Sequence, residues 1–404
     1  MIEPKRYDGY RSFQYLQAGV DYPEFALAPE IGRVPPYPTE LTVAQEERVR
    51  RLFQTYPIIS LHDHPDVATS ETRQMREYVR AIRDWTGYEG LSVSGLDAVF
   101  DGFMDGTAQI TSRNGWKWDD VLYDLGMRYS DLAHQELVFR AERVDDILRA
   151  KREGRIALIP SLEGATPIEN ELDRVDILYG FGVRCLGITY SEANSLGSGL
   201  KEQVDGGLTA FGRRVVRRMN QIGMAIDVAH CGDRTSLDVI EASERPVFIT
   251  HAGARTLWHS RRLKPDEVLQ ACAEAGGVIG IEAAPHTTVT QRHPNHSIES
   301  YMEHFEYCVD LCGIEHVAFG PDTLFGDHVG LHQAFADSLA IGASTALPGD
   351  GGASGEGEPP RVPYVAGLEN PGEAMANIVR WLVGHGYDDG QIALVCGGNI
   401  LRVL

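Results

Sequence analysis

The chain has 404 residues, 43% of them hydrophobic and 24% charged, with 37 basic against 58 acidic side chains for a net charge of −21. The proportions are those of an ordinary folded chain, while the acidic excess argues against nucleic acid or an anionic membrane as partners, since both need clustered basic surface. No apolar run nears the roughly 18 residues of a membrane span, Met1–Asp8 has no apolar leader core, and six scattered cysteines without a C-x-x-C read as reduced thiols, so a cytoplasmic protein is expected.

Residues 1–40 are rich in Tyr and Pro and show no sustained period. They read as an arm that packs on the body or on a partner subunit, and a homo-oligomer is expected. From residue 41 to 404 the pattern is that of one domain. Short apolar runs at Ile58–Leu61, Ile156–Ile159, Val183–Ile188, Ala225–Val228, Val247–Thr250, Gly277–Ile281 and His316–Phe319 predict buried strands, with Thr107–Ile110 as a weaker eighth. Such continuous apolar strands suit a parallel sheet covered on both faces.

Helical periodicity lies between these runs. Phe211, Val215, Met219 and Ile222 make one stripe, with Thr209 placed as N-cap and Gly223 as C-cap. The arginines at 213, 214, 217 and 218 lie off that stripe and read as a solvated face. Strand and helix alternating about eight times favours a (β/α)8 barrel, an α/β fold of the TIM type, over a doubly wound sheet. Residues 341–366 break the pattern with Gly, Ser, Ala, Pro and acidic residues. This long loop follows the last strand, so a barrel would hang it over the face where strand C-termini converge.

The chemistry-bearing residues stand at those C-termini. His62 and His64 follow the first strand, Glu163 the next of the seven clear ones, His230 and His251 end two more, and Asp322 follows the last. Residues i and i+2 of a strand share a face, so His62 and His64 can reach one metal. Four imidazoles and a carboxylate suit Zn²⁺ or a similar divalent ion, and two ions fit if Glu163 bridges them. Such a pair would share a hydroxide that is nucleophilic at neutral pH, with Asp322 carrying its proton to the leaving group. Taken singly, each residue is equally a hydrogen-bonded core or turn residue; taken together, five strand ends would need unrelated reasons for a His or a carboxylate. Of the other histidines, 286, 293 and 296 read as surface or loop residues, and His328 and His332 as possible neighbours of Asp322.

From about Pro57 to the C-terminus the chain resembles the membrane dipeptidase (renal dipeptidase, peptidase M19) family of the amidohydrolase superfamily. The most specific stretches are Gly207–Arg213, Gly223–His230, Pro246–Arg255 and Gly397–Val403. The resemblance implies a TIM barrel with two zinc ions. His62 and the residue two later would hold the first, Glu163 would bridge, and His230 and His251 would hold the second. It makes Asp322 the acid/base aspartate and Arg262 the arginine that grips the substrate's carboxylate. Two positions depart from the family. His64 stands where the family usually has Asp, although Asp66 would restore His-x-Asp after a two-residue slip. Tyr190 stands where the family has an oxyanion-stabilising histidine, and a phenol can donate the same hydrogen bond. The expected function is zinc-dependent hydrolysis of amide bonds in small carboxylate-bearing substrates, dipeptides first, with N-acyl amino acids, lactams or other small amides as the alternative. A non-catalytic metal-binding barrel is a third reading, disfavoured because every ligand position is filled.

Overall fold

The computed structural model describes residues 2–103, 117–285, 287–334 and 362–404. The predicted strand at Thr107–Ile110 and residues 341–361 of the long loop lie outside them. Nine strands are present among the described residues: β1 (Ile59–Asp63), β2 (Ala98–Phe103), β3 (Val138–Arg140), β4 (Ile156–Leu162), β5 (Cys185–Gly187), β6 (Ala225–Asp227), β7 (Phe248–Ala252), β8 (Val278–Ile281) and β9 (Val317–Phe319). All pairings are parallel, in the order β1-β2-β4-β5-β6-β7-β8-β9, with β3 alongside the start of β4. Closure comes from backbone bonds just beyond β9. The Asp322 N–H donates to the His62 carbonyl at 3.0 Å, and the His64 N–H to the Thr323 carbonyl at 2.9 Å. The result is a (β/α)8 barrel, as the alternation of strand and helix periods predicts.

β2, like the short β3, is absent from the strands that the hydrophobic pattern predicts. Its apolar run is only Ala98-Val-Phe100 before Asp101 and Gly102 interrupt it. Asp101 is buried all the same, 3.9 Å from the Arg128 guanidinium. The helix predicted over 208–222 forms at Ala210–Ile222; Thr209 Oγ1 accepts from the Gly212 N–H at 2.9 Å, and Gly223 takes the left-handed turn at φ +80°. Val215 and Met219 on its stripe are buried, while Arg213, Arg214 and Arg217 are exposed.

The barrel interior is a cluster built from alternate strand positions, including Ile59, Leu61, Ala98, Phe100, Ala157, Ile159, Cys185, Phe248 and Ala318. Period-two alternation carries that inward face upward along two strands. Ala157 and Ile159 lead through Ser161 to Glu163, and Ala98 and Phe100 lead to Gly102. Residues 2–40 lie along the outside. The buried Asp131 carboxylate accepts from Tyr10 Oη, Ser12 Oγ and the Phe13 N–H, each at 2.7 Å. Further along, the Ala28 N–H donates to the Ala68 carbonyl and Arg33 pairs with Glu369. Among the described residues no helix is long and apolar enough to cross a membrane.

Candidate metal centre

Two of the histidines owe their direction to irregularities in their strands. Between Ser60 and Asp63, β1 advances three residues while β2 advances two. Between Ile249 and Ala252, β7 does the same against β8. An extra residue of this kind reverses which face the following side chain takes. Ile59 and Leu61 already face inward, so strict alternation would turn His62 out of the barrel; the extra residue brings it in. The second irregularity brackets His251 in the same way.

The side chains converge on Glu163. Its Oε1 lies 3.7 Å from His62 Nε2 and 3.4 Å from His64 Nε2, and its Oε2 lies 3.3 Å from His230 Nε2 and 3.7 Å from His251 Nε2. Within each pair the Nε2 atoms are 3.3 Å apart for His62 and His64 and 3.0 Å apart for His230 and His251. Two nitrogens each about 2.1 Å from one tetrahedral ion stand roughly 3.4 Å apart, so each pair has the spacing of neighbouring ligands. Asp322 Oδ1 completes the first group, 3.4 Å from His62 Nε2 and 3.2 Å from His64 Nε2. The donor set therefore fits two divalent cations, one held by each histidine pair, with one carboxylate oxygen facing each.

The electrostatics agree with that fit. Burial holds the His62, His230 and His251 imidazoles below their ordinary range, reinforced at His230 by the nearby Arg262 charge and at His251 by His62. Buried imidazoles kept neutral are in the form that ligates a cation. At Asp322 burial works against the charged form, but His251, His62 and His64 together hold the carboxyl well below its usual range.

A second ring of side chains fixes the imidazoles. Thr250 Oγ1 and His251 Nδ1 are hydrogen-bonded at 2.8 Å, and Ser191 Oγ and His230 Nδ1 at 3.4 Å. Bonds of this kind to the far nitrogen orient the ring and leave Nε2 for the metal. Asp227 Oδ1 accepts from the N–H groups of Ala229 and Thr250, tying together the chain beside both histidines. Gly102 leaves room for His64, since a Cβ there would stand 2.6 Å from His64 Cε1. Thr250 stands next to His251 in the sequence, a weak signal, and Ser191, 39 residues before His230, carries none.

Each residue singled out from the sequence now has a place. His62, His64, Glu163, His230, His251 and Asp322 come together. Asp66, the alternative to His64, turns away and pairs with Arg128. Tyr190 is buried with its ring stacked on His230, centroids 4.2 Å apart. Arg262 is buried beside the second pair, its Nη1 donating to the His251 carbonyl at 3.1 Å, whereas Arg261 turns out to the Glu202 carbonyl at 2.9 Å. The side chain that sequence reasoning missed is Glu282, fully buried just after β8 and ion-paired with Arg262. His328 is buried edge-on against His332, with ring centroids 4.5 Å apart. His296 is buried and bonded to the Ala283 carbonyl, while His286 lies outside the described residues.

Comparison with known proteins follows the same lines. The family model described as membrane dipeptidase (peptidase family M19) matches residues 104–336, more than half of the chain. The chain is 28% identical over 223 residues to dipeptidase tcpJ of Claviceps purpurea, an alignment spanning 54% of this chain and 51% of that protein. It is 24% identical over 298 residues to human dipeptidase 3, spanning 70% of this chain and 58% of the relative. The chain thus spans little more than half the length of these relatives. Among solved structures, an amidohydrolase from Pseudomonas aeruginosa superposes with a TM-score of 0.70 at 22% identity, covering 88% of this chain and 97% of its own. A metallo peptidase from Rhodobacter sphaeroides, liganded with a phosphinate mimic of the dipeptide L-Ala-D-Ala, does so at 0.63 and 18% identity, covering 86% and 98%. At these identities the structures establish the shared fold.

Proposed function

Because the chain belongs to the membrane dipeptidase family, peptidase family M19, we propose that it is a zinc-dependent hydrolase of the amide bond in small substrates, with dipeptides as the first class. The observation that carries this reading is the two-sided placement of Glu163, one carboxylate oxygen toward His62 and His64 and the other toward His230 and His251. When bound, a pair of divalent ions polarises a carbonyl and makes water nucleophilic at neutral pH.

The protein's own groups do the rest. The His230/His251 pair holds its ligating nitrogens in place through Ser191 and Thr250. Asp322, ionised and beside His62 and His64, takes a proton from the attacking water and returns it to the departing amine. Tyr190, packed on His230, is the donor proposed for the carbonyl oxygen as charge develops there.

The experiment is metal analysis of the purified protein together with hydrolysis of a dipeptide panel and an N-acyl amino acid panel, with and without chelator. Chelator-sensitive cleavage of dipeptides supports the reading. Chelator-sensitive cleavage of the second panel alone supports the alternative, a non-dipeptide amide. No cleavage of either by metal-loaded protein contradicts both.

A further inference from the structure

Asp322 lies just beyond β9 with φ at +60°, in the left-handed region that residues with a Cβ seldom adopt. The turn redirects the backbone after it. Along an extended strand successive N–H groups point to opposite sides, whereas here two in a row turn toward β1. The Asp322 N–H donates to the His62 carbonyl at 3.0 Å, and the Thr323 N–H donates to the Asp63 carboxylate, Oδ1, at 2.9 Å. Thr323 Oγ1 donates to the same oxygen at 2.9 Å, and Ser60 Oγ donates to Asp63 Oδ2. From the other side the His64 N–H donates to the Thr323 carbonyl at 2.9 Å. Ser60, Asp63 and Thr323 are all buried.

A buried N–H needs a partner, and the left-handed turn points that of Thr323 at a place where the Asp63 side chain supplies one. The two features therefore depend on each other. Without Asp63 the turn would strand a buried donor and keep its strain; relaxing Asp322 to an extended φ would swing its carboxylate away from His62 and His64, whose Nε2 atoms now lie 3.4 and 3.2 Å from Oδ1. We infer that Asp63, which stands between two ligands in the sequence, is a positioning residue for Asp322. By bonding Thr323 it holds the turn that aims the Asp322 carboxylate into the metal centre. The inference rests on Asp322 as the proton carrier of a hydrolytic centre and names the group that keeps it in place.

The test measures kcat, KM and zinc affinity for Asp63→Ala, alone and combined with Asp322→Asn, on whichever dipeptide or N-acyl amino acid the zinc-loaded wild type cleaves best. A misplacement near 1 Å costs on the order of 10²-fold, so Asp63→Ala lowers kcat by about 10²-fold and leaves KM and zinc affinity nearly unchanged. In the Asp322→Asn background the same change costs less than about threefold, because residues that act as a unit do not add. Asp63→Asn keeps an oxygen for Thr323 and retains most of kcat. Equal losses in both backgrounds overturn the inference. So does an unchanged kcat in Asp63→Ala, or a loss of zinc from the His62/His64 position as large as the loss of kcat. If Asp63→Ala does not fold, Thr323→Val, which removes the Oγ1 bond alone, replaces it, with a several-fold loss confined to protein that has Asp322. Melting of the metal-free protein tests the turn without catalysis. Alanine at φ +60° is strained and glycine is not, so Asp322→Gly melts above Asp322→Ala while Asp63 is intact, and the order reverses in Asp63→Ala. Asp322→Ala melting at or above Asp322→Gly beside an intact Asp63 overturns the inference. If neither panel is cleaved the hydrolytic reading fails, and the melting order still decides whether Asp63 holds the turn.

Discussion

Replacing Gly102 by alanine crowds the His64 ring and, less tightly, the Glu163 oxygen that faces it. The added Cβ would stand 2.6 Å from His64 Cε1, 3.0 Å from His64 Nδ1 and 3.2 Å from Glu163 Oε1. Comfortable carbon–carbon contact is about 3.5–4.0 Å, so the ring must retreat by about 1 Å. Its Nε2 cannot stay behind, and it already sits among His62, Glu163 and Asp322 at 3.2–3.4 Å. Ligand distances tolerate only about ±0.2 Å, and a misplacement near 1 Å costs on the order of 10²-fold. The expected result is a drop of about 10²-fold in affinity at the His62/His64 position, or about 2.7 kcal/mol. The His230/His251 position keeps its ion, and kcat/KM falls by a similar factor. Calorimetric zinc titration resolves the two positions. Gly126→Ala is the control: Gly126 lies on the helix Trp118–Leu132 with nothing within 4 Å of an added Cβ. It should bind metal normally and gain about 0.5–1 kcal/mol of stability. A Gly102→Ala protein that takes up both ions with wild-type affinity refutes the placement of His64.

Three further substitutions separate the roles. Glu163→Gln keeps the shape but replaces the charge facing both histidine pairs by a neutral amide. Metal content should fall at both positions and turnover should vanish, and full occupancy with activity would contradict bridging. Asp322→Asn should retain most of the metal and cut kcat by about 10²–10⁴-fold, the scale of a lost general acid/base; normal turnover would move proton transfer elsewhere. Thr250→Val removes the 2.8 Å bond to His251 Nδ1. It should weaken metal binding by about 10–100-fold, as for other groups that orient a ligand, with unchanged affinity counting against that role.

What the sequence made legible was position along the strands; what it hid was direction and pairing. His62, Glu163, His230, His251 and Asp322 could be found because each follows an apolar run whose end is easy to mark. Which way His62 and His251 point could not be read, since strict alternation from Leu61 turns His62 outward and only the added residue in β1 corrects it. The preference for His64 over Asp66 could be made from the sequence; what the sequence did not show is that Arg128, 62 residues from Asp66 in the chain, claims the aspartate. β2 escaped notice because Asp101 and Gly102 break its pattern, and both are there for contacts that form only on folding: Arg128 beside one, His64 beside the other. Glu282 gave no signal at all. A lone glutamate after a strand is unremarkable until Arg262, twenty positions earlier, is seen against it.

The central claim is that Glu163 joins two cation positions in one hydrolytic centre, and metal stoichiometry measured alongside amide hydrolysis tests it most directly. Purified protein is stripped with chelator, titrated with zinc, and assayed on the dipeptide and N-acyl amino acid panels at each step. The account predicts two equivalents bound per chain, with activity lost on stripping and restored as the equivalents are returned. Stripped protein that hydrolyses as fast as loaded protein, or a chain that binds no divalent ion through these histidines, would contradict it.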